Sequence, residues 1–416
     1  METAKLGPLT VSRLALGTML MGDATPPDEA YRILDRFVEA GGTLIDTADT
    51  YGDGESERVL APWLARRRDE VLVATKVRFA VSDPGGEGLA PDRIRAACDA
   101  SLRRLGIDVI DLYQVHAPDP SVALEETLAA LDELVRAGKV RALGASNFPA
   151  WLLAWAVALQ DRHGWSPFVS LQPQYSLVER SAEIELLPFT RAAGLGVLPW
   201  GPLGAGFLSG RYKRDEMPPG RVTEAPDDLE EASHRRAVER NFRVIDAAEE
   251  IAAAHGATVP QVAIAWLLGV EGVTAPIVGP RTLAQLDDLL GAVDVELTAD
   301  DRARLEAPAR RAIERNFKVV DEARGIAEAK GATVSQVALA WLLGTDGVTA
   351  PIVGPRTAAH LDDLLGAAEL ELGDEQVQRL SATTAPLDRY PDRMLAEQVG
   401  VDVERQARRG TREEVV

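Results

Sequence analysis

Short apolar runs alternate along the chain with longer segments of helical periodicity. Eight runs have the length and the Val, Leu and Ile content of buried strands: residues 13–17, 43–46, 71–77, 109–115, 140–144, 169–172, 195–199 and 274–279. Between them lie amphipathic segments that end in Gly or have Gly close to their end, a common helix stop: residues 27–42, 91–106, 121–140 and 181–194. Strands that alternate with helices of this length predict βαβ units and a parallel sheet.

Two parallel architectures fit this pattern, a closed barrel and an open doubly wound sheet. Eight strands of nearly continuous apolar character suit a barrel that is covered by helices. An open sheet that binds a dinucleotide carries G-x-G-x-x-G after its first strand, and no such sequence follows residues 13–17. We therefore predict an α/β fold of the (β/α)8 TIM-barrel class.

One segment near the C-terminus occurs twice. Residues 236–292 recur at residues 311–367, at a constant offset of 75 residues, and roughly three-quarters of the aligned positions are identical. Two copies are too few for a solenoid, so we interpret them as a tandem duplication of the last helix–helix–strand–helix unit. We predict a barrel over residues 1–308, in which the first copy supplies the eighth strand. Residues 309–416 would then contain the second copy and a C-terminal tail.

Either copy can complete the barrel, because both contain the sequence TAPIVGPRT. Looping out 75 more residues to reach the second copy costs only about 1 kcal/mol of extra closure entropy. The second copy is continuous with the C-terminal segment 387–395. Chain length therefore favours the first copy only weakly. Whether Arg281 and Gln285 of the first copy or Arg356 and His360 of the second lie at the barrel is left open.

Composition excludes several classes of partner. The chain has 416 residues and a net charge of −20, so it lacks the basic footprint that nucleic acid or an anionic membrane requires. No stretch approaches the roughly 18 apolar residues of a membrane helix, and the N-terminal sequence lacks the apolar run of a secretory signal. The single cysteine, Cys98, excludes an internal disulfide framework. We predict a cytoplasmic monomer or homo-oligomer that acts on a small molecule.

Four proton-handling residues lie at the ends of three consecutive predicted strands. Asp46 ends the second strand, and Tyr51 lies in the loop that follows it. Lys76 lies near the end of the third strand, and His116 follows the fourth. Taken alone, Asp46, Tyr51 and His116 each fit a turn, loop or structural role, whereas a lysine in a buried strand requires a charged partner. Because the C-terminal ends of barrel strands meet on one face, we expect the four side chains to converge.

The sequence resembles the aldo-keto reductase family over essentially the whole chain apart from one copy of the repeat. The resemblance rests on GGTLIDTADTYGDGESE, VLVATK, DLYQVHAPD, VRALGASNF, SLQPQYSLVER, LPWGPLGAGFLSGRY and APIVGPRT. QPQYSLVER and PWGPLGAGFLSG most resemble the bacterial branch that is similar to potassium-channel β subunits. The resemblance implies a catalytic tetrad of Asp46, Tyr51, Lys76 and His116, with no metal. It also implies reduction of an aldehyde or ketone by NADPH, which leaves NADP+.

The chemistry of carbonyl reduction is consistent with that tetrad. Hydride that arrives at a carbonyl carbon leaves alkoxide character on the oxygen, so an acid must lie within hydrogen-bond reach. A free tyrosine is a poor donor at neutral pH, since its pKa is about 10. An ammonium close to Tyr51 favours the phenolate, and Lys76, paired with Asp46, would supply it. His116 would orient the carbonyl oxygen.

The same resemblance implies the residues around the nicotinamide. Ser146, Asn147 and Gln172 would hold the carboxamide, and Tyr175 would stack on the nicotinamide ring. Thr18 would line the mouth of the cofactor and substrate site.

The phosphates and the adenosine are implied to lie farther along the chain. The pyrophosphate would pass beside Trp200, Gly201, Pro202, Leu203 and Gly206. The 2′-phosphate would lie beside Gly279 and Arg281, because the planar guanidinium donates two parallel hydrogen bonds. Gln285 would face the adenine, although Leu289 stands where family members often have Asn. Taken alone, the Gly-rich segment is also typical of a turn, and Arg281 of a solvated first helical turn.

Three classes of function are compatible with these residues. The leading hypothesis is an NADPH-dependent carbonyl reductase. The alternative is an NADPH-binding redox-sensing or regulatory module of the channel β-subunit type with little turnover. A barrel isomerase or lyase acting on sugar phosphates would need a different phosphate site and no nicotinamide.

Overall fold

The computed structural model describes residues 1–224, 237–310 and 313–384. The described residues divide into two compact units, which we call unit 1 (up to Pro308) and unit 2 (from Ala309). The predicted C-terminal segment 387–395 lies outside the described residues. Among the residues described, no single helix is long and apolar enough to cross a membrane. The consecutive helices Glu239–His255 and Val259–Leu268 reach that length and apolarity only together, across a bend of 94°.

Unit 1 contains an eight-stranded parallel sheet. Its strands are β3 (Ala15–Gly17), β4 (Leu44–Asp46), β5 (Leu72–Val77), β6 (Ile110–Val115), β7 (Val140–Ser146), β8 (Phe168–Gln172), β9 (Gly196–Val197) and β10 (Ile277–Val278). They follow the order β10-β3-β4-β5-β6-β7-β8-β9, so chain neighbours are also sheet neighbours. The eight apolar runs of the sequence are these eight strands.

Backbone hydrogen bonds join the two edges of this sheet. The Thr274 amide donates to the Val197 carbonyl at 2.8 Å, and the Ile277 amide donates to the Pro199 carbonyl at 2.8 Å. On the other side of β10, Ile277 pairs with Ala15 of β3. The sheet therefore curls on itself as a TIM-barrel-like fold does, with the first copy of the repeat in the eighth position.

A helix follows each strand of the sheet. The helices of unit 1 are α1 (Pro27–Glu39), α2 (Glu55–Arg67), α3 (Pro91–Leu105), α4 (Leu124–Arg136), α5 (Ala150–His163), α6 (Leu186–Ala193), α7 (Arg221–Glu224), α8 (Glu239–His255), α9 (Val259–Leu268), α10 (Leu283–Leu290) and α11 (Ala299–Arg310). Short 3-10 turns occupy Arg68–Glu70, Ser181–Glu183, Phe207–Ser209 and Gly291–Asp294. Helix α1 illustrates the amphipathic pattern of the sequence. Its buried side chains Ala30, Ile33, Leu34 and Phe37 recur at helical spacing on one face.

An N-terminal hairpin, which the strand pattern did not predict, packs against the beginning of the barrel strands. It consists of β1 (Thr3–Leu6) and β2 (Leu9–Ser12), which pair antiparallel. Leu6 and Leu9 share a buried cluster with Leu44 and Val169. Gly7 at the turn has φ +56°, and a Cβ there would lie 2.4 Å from Val169 Cγ1, so the position requires glycine. The hairpin covers apolar residues at the end of the barrel opposite the C-terminal strand ends.

Unit 2 contains the described part of the second repeat copy. Its helices are α12 (Ile313–Lys330), α13 (Val334–Leu343), α14 (Ala358–Leu365) and α15 (Asp374–Thr384), with a 3-10 turn at Gly366–Glu369. A small core of Ala323, Ile326, Ala327, Val337 and Leu380 holds it together.

The two copies differ in what their apolar residues contact. Ile352 is fully exposed and Leu365 is 58% exposed, whereas their first-copy equivalents Ile277 and Leu290 are each 8% exposed. Residues 352–353 form no strand, in contrast to β10. Nearly the same sequence therefore has these apolar side chains buried in unit 1 and exposed in unit 2.

Candidate active site

A cavity of about 830 Å³ opens at the C-terminal ends of the barrel strands. Fifteen residues singled out from the sequence line it, namely Thr18, Asp46, Tyr51, His116, Ser146, Asn147, Gln172, Trp200, Gly201, Pro202, Leu203, Gly206, Gly279, Arg281 and Gln285. Lys76 lies beneath the cavity floor with no exposed surface. The residues expected from the strand-end argument and those implied by the resemblance thus lie around or directly beneath one space, apart from Tyr175.

Lys76 joins two of the predicted catalytic residues. Its Nζ donates to Asp46 Oδ2 at 2.6 Å and to the Tyr51 hydroxyl at 3.1 Å. A third hydrogen bond, to the Thr47 carbonyl at 2.9 Å, satisfies the remaining ammonium proton. The three bonds fix the ammonium between a carboxylate and a phenol that faces the cavity.

The charge state of Lys76 follows from these contacts. Burial by itself lowers the pKa of Lys76, but the charge of Asp46, the interaction with Tyr51 and the hydrogen bonds to both outweigh it. The net result is a pKa of Lys76 above its ordinary value. A permanent positive charge therefore lies against the Tyr51 hydroxyl, where it stabilises a phenolate.

His116 lies across the cavity floor from Tyr51. The two rings meet edge to face at a centroid distance of 5.8 Å, and Phe79 packs against His116 at 4.9 Å. Burial and, after it, the charge of Lys76 lower the pKa of His116 well below its ordinary value. A neutral imidazole is thus present at neutral pH, and it can hydrogen-bond an uncharged carbonyl.

Two glutamines and a threonine hold Asp46 in place. Gln114 Nε2 and Gln172 Nε2 both donate to Asp46 Oδ1, at 3.1 and 2.8 Å. Thr18 Oγ1 donates to the Asp46 carbonyl at 3.1 Å. Gln172 was predicted to hold a carboxamide, yet its amide nitrogen is engaged with the tetrad. Gln114 was missed, although its place two residues before His116 at an inward-facing position of β6 was a usable signal.

The remaining predicted nicotinamide residues form a linked set. Ser146 Oγ donates to the Gln172 carbonyl at 2.8 Å. Asn147, which has φ +59°, donates through Nδ2 to the His116 carbonyl at 2.8 Å. Its Oδ1 accepts from Trp200 Nε1 at 3.0 Å. The left-handed backbone at Asn147 turns its amide toward the His116 loop and the Trp200 ring.

Tyr175 does not lie where the resemblance implied. Its ring has no exposed surface, packs beside Trp266 at 5.5 Å, and donates its hydroxyl proton to Glu183 at 2.6 Å. The chain after β8 turns Tyr175 into the core, because its backbone amide is bonded to the Trp200 carbonyl. The aromatic side chain on this part of the cavity wall is Trp200.

The other end of the cavity has a cationic side chain with an open guanidinium. Within the described ranges, the Arg281 guanidinium has no hydrogen bond or ion pair. The Arg281 backbone amide donates to the Gln285 side-chain oxygen at 2.8 Å, and the Gln285 backbone amide donates to the hydroxyl of Thr282, which caps α10. Gln285 thereby shapes the loop, while Leu289 and Asp288 complete the wall.

The Gly-rich segment supplies space and two polar groups that sequence reasoning missed. A Cβ at Gly206 or Gly279 would meet no atom within 4 Å, so both glycines border open cavity. Ser209 Oγ is buried on the wall without a hydrogen-bond partner among the described residues. Arg211 also lines the cavity, with Nη2 donating to the Pro219 carbonyl at 2.7 Å. The sequence FLSGR, which directly follows the predicted pyrophosphate segment, was the available signal for both.

These residues fit an anionic nicotinamide cofactor. Two arginines and an unpartnered hydroxyl lie toward one end of the cavity, as an anionic ligand requires. The proton-handling groups lie at the other end beside an indole ring. The cavity volume lies within the range of about 300–1,000 Å³ that is typical of small-molecule sites.

Comparison with known proteins places this geometry in a family. The sequence model described as the aldo/keto reductase family matches residues 13–310 and, in a second match, residues 302–385. An uncharacterized oxidoreductase of Bacillus subtilis, YrpG, is 39% identical over 301 residues, which span 70% of this chain and 89% of that protein. Norsolorinic acid reductase of Emericella nidulans is 34% identical over 319 residues, or 72% of this chain and 79% of the relative. Versiconal hemiacetal acetate reductase of Aspergillus parasiticus is 32% identical over 338 residues, or 74% and 97%.

Proposed function

Since the chain belongs to the aldo/keto reductase family, we propose that it reduces an aldehyde or ketone to an alcohol with NADPH, and that Tyr51 donates the proton. One observation carries the proposal. The buried Lys76 ammonium contacts both Asp46 and the Tyr51 hydroxyl at the floor of the cavity. A lysine–aspartate pair with a purely structural role would not require the hydroxyl of Tyr51, which faces the cavity.

Each member of the tetrad has a distinct task in this proposal. When bound, the reduced nicotinamide supplies the hydride. Tyr51 transfers its hydroxyl proton to the carbonyl oxygen as alkoxide character develops there. Lys76 stabilises the phenolate that remains, and Asp46 keeps Lys76 charged and in position. The neutral His116 holds the carbonyl oxygen within reach of Tyr51.

We also propose how the chain holds the cofactor. Trp200, rather than the buried Tyr175, contacts the nicotinamide ring, with Asn147 beside it. Arg281 binds the 2′-phosphate through its open guanidinium, and Arg211 and Ser209 face the diphosphate. Gly206 and Gly279 leave room for the phosphate groups, since neither position projects a side chain into the cavity.

A carbonyl panel tests the reaction itself. We expect steady NADPH oxidation, in large excess over the protein, with at least one aldehyde or ketone. Norsolorinic acid and versiconal hemiacetal acetate belong in the panel, because they appear in the names of two relatives. Tight NADPH binding without turnover on any carbonyl compound would favour a redox-sensing module instead.

The choice of cofactor, and of repeat copy, is tested by one pair of variants. We propose that the first copy supplies the cofactor arginine, so Arg281→Ala should weaken NADPH binding by about 1.5–3 kcal/mol, roughly 10- to 150-fold in Kd. NADH binding should barely change, because NADH lacks the 2′-phosphate. Fluorescence titration of both nucleotides measures these affinities.

Arg356→Ala is the matched control, since Arg356 occupies the same sequence position in the second copy. We expect it to leave both affinities unchanged. A loss of NADPH affinity only in the Arg356 variant would overturn the choice of copy. Equal losses for NADPH and NADH in the Arg281 variant would instead assign that residue to the fold or the diphosphate.

A further inference from the structure

Asp49 lies in the loop that carries Tyr51, but it points away from the cavity. Its backbone amide donates to the Lys76 carbonyl at 3.3 Å, and the Tyr51 amide donates to the Ala48 carbonyl at 3.2 Å. The Asp49 side chain has no exposed surface and does not line the cavity. This residue therefore connects the main chain of Lys76 to the turn that orients Tyr51.

The side chain of Asp49 meets α3 through an incomplete contact. Arg93 Nη2 donates to Asp49 Oδ2 at 3.4 Å, which is long for a charge-assisted hydrogen bond. Asp49 Oδ1, Arg93 Nη1 and the Tyr113 hydroxyl are buried and have no partner among the described residues. Buried polar groups are nearly always hydrogen-bonded, so three unpartnered groups in one place require an explanation.

The surroundings of Asp49 contain both signs of charge. Glu57 on α2 opposes its ionisation, whereas Arg93 and Arg104 on α3 favour it. Glu57 is itself fully engaged, since it accepts from Thr75 at 2.6 Å and from Arg104 at 2.7 Å. Tyr113 on β6 stays neutral, because burial raises its pKa well above the ordinary value. Arg93 is thus the cation with hydrogen-bonding capacity left for Asp49.

We propose that Asp49 is a positioning residue for Tyr51: in its ionised form it is held by Arg93, and this contact fixes the turn that keeps the Tyr51 hydroxyl against Lys76. The proposal deepens the proposed reductase function and rests on it for its kinetic consequence. Protonation of Asp49 removes the ion pair and loosens the turn. Asp49 contacts neither substrate nor cofactor, so it acts only through Tyr51.

The Asp49–Arg93 contact should change near neutral pH, because Asp49 changes its protonation state there. Burial, followed by the charge of Glu57, raises the pKa of Asp49 to about 7. His116 does not titrate in this range, because its pKa is well below the ordinary value. The ionised fraction of Asp49 therefore rises steeply between about pH 6 and pH 8.

The kinetic test compares Asp49→Asn with wild type at a series of pH values. Asparagine keeps the shape and an acceptor oxygen but cannot ionise. We expect the ratio of the variant's kcat to that of wild type to be near one at about pH 5.5. At about pH 8 the ratio should fall by roughly tenfold, less than the full cost of an ångström-scale misplacement. KM should change little, and Arg93→Lys, which keeps the cation, should restore most of the kcat that Arg93→Met loses.

Hydrogen exchange gives a readout that does not depend on turnover. After correction for intrinsic rates, peptides that contain residues 47–54 should exchange faster in Asp49→Asn than in wild type at about pH 8, and equally at about pH 5.5. The free energy of unfolding should change with pH in the direction opposite to kcat. Because the folded pKa of Asp49 is raised, its contribution to stability is present at low pH and is lost as pH rises through about 7. The unfolding free energy of wild type should thus fall relative to the variant as pH rises.

Asp111→Asn is the matched control, since Asp111 is equally buried and ion-paired, at the opposite end of β6 from His116. It should not alter the pH dependence of kcat or the exchange of residues 47–54. An Asp49→Asn variant that follows wild type in both measurements would overturn the inference. A wild-type protein without any carbonyl turnover, but with the exchange difference intact, would overturn the proposed function while leaving the Asp49 contact established.

Discussion

Tyr51→Phe should lower kcat by at least about a hundredfold, the lower range for loss of a general acid. The substitution removes the hydroxyl that lies 3.1 Å from Lys76 Nζ and keeps most of the ring's packing against His116. NADPH affinity should stay nearly constant, because Tyr51 lies at the substrate end of the cavity. Single-turnover kinetics and nucleotide titration separate the two quantities.

Tyr175→Phe is the control for this experiment. It removes a hydroxyl from a tyrosine that bonds Glu183 in the core, outside the cavity. We expect its kcat to stay close to that of wild type. Turnover of Tyr51→Phe within a few-fold of wild type would end the assignment of Tyr51 as the proton donor.

Lys76→Met should affect both stability and catalysis. It leaves the Asp46 carboxylate buried without its cation, and breaking a buried pair in this way costs about 3–5 kcal/mol of unfolding free energy. We expect kcat to fall at least as far as in Tyr51→Phe, because nothing then stabilises a phenolate at Tyr51. Denaturant unfolding and the carbonyl assay measure the two losses independently.

The double variant Lys76→Met with Asp46→Asn distinguishes the two effects. Removing the unpaired charge should recover much of the lost stability, because an amide can still accept from Gln114 and Gln172. Activity should not return, since the ammonium is still absent. Recovery of activity together with stability would show that Lys76 acts only through the fold.

The barrel and the convergence of the tetrad were predictable because both depend on period and position. Eight apolar runs separated by helices indicate a parallel closed sheet, and residues at strand ends then share one face. Asp46, Lys76 and His116 follow from that rule without any knowledge of the loops. The rule also explains why Tyr51, which lies only five residues after β4, is found beside Lys76.

The other features depend on loop conformation and tertiary contacts, which the pattern of apolar residues does not determine. Tyr175 and Trp200 both follow strand ends, and only the folded loops show that Tyr175 is buried in the core whereas Trp200 lines the cavity. The hairpin β1–β2 was missed because four-residue strands around a Gly–Pro turn have too little periodicity. The repeat could not be assigned either, because Ile277 and Ile352 lie in identical sequences and differ only in their contacts.

Because the two copies have nearly the same sequence but different contacts, the second copy can serve as a reference for the free energy that burial contributes in the first. Leu286 is completely buried, whereas its counterpart Leu361 is 37% exposed within the same local sequence of a capped helix. Helix propensity, capping and the unfolded chain are therefore nearly matched between the two sites. The difference in unfolding free energy between Leu286→Ala and Leu361→Ala would isolate the contribution of tertiary packing, a separation that normally requires two different proteins or a model peptide.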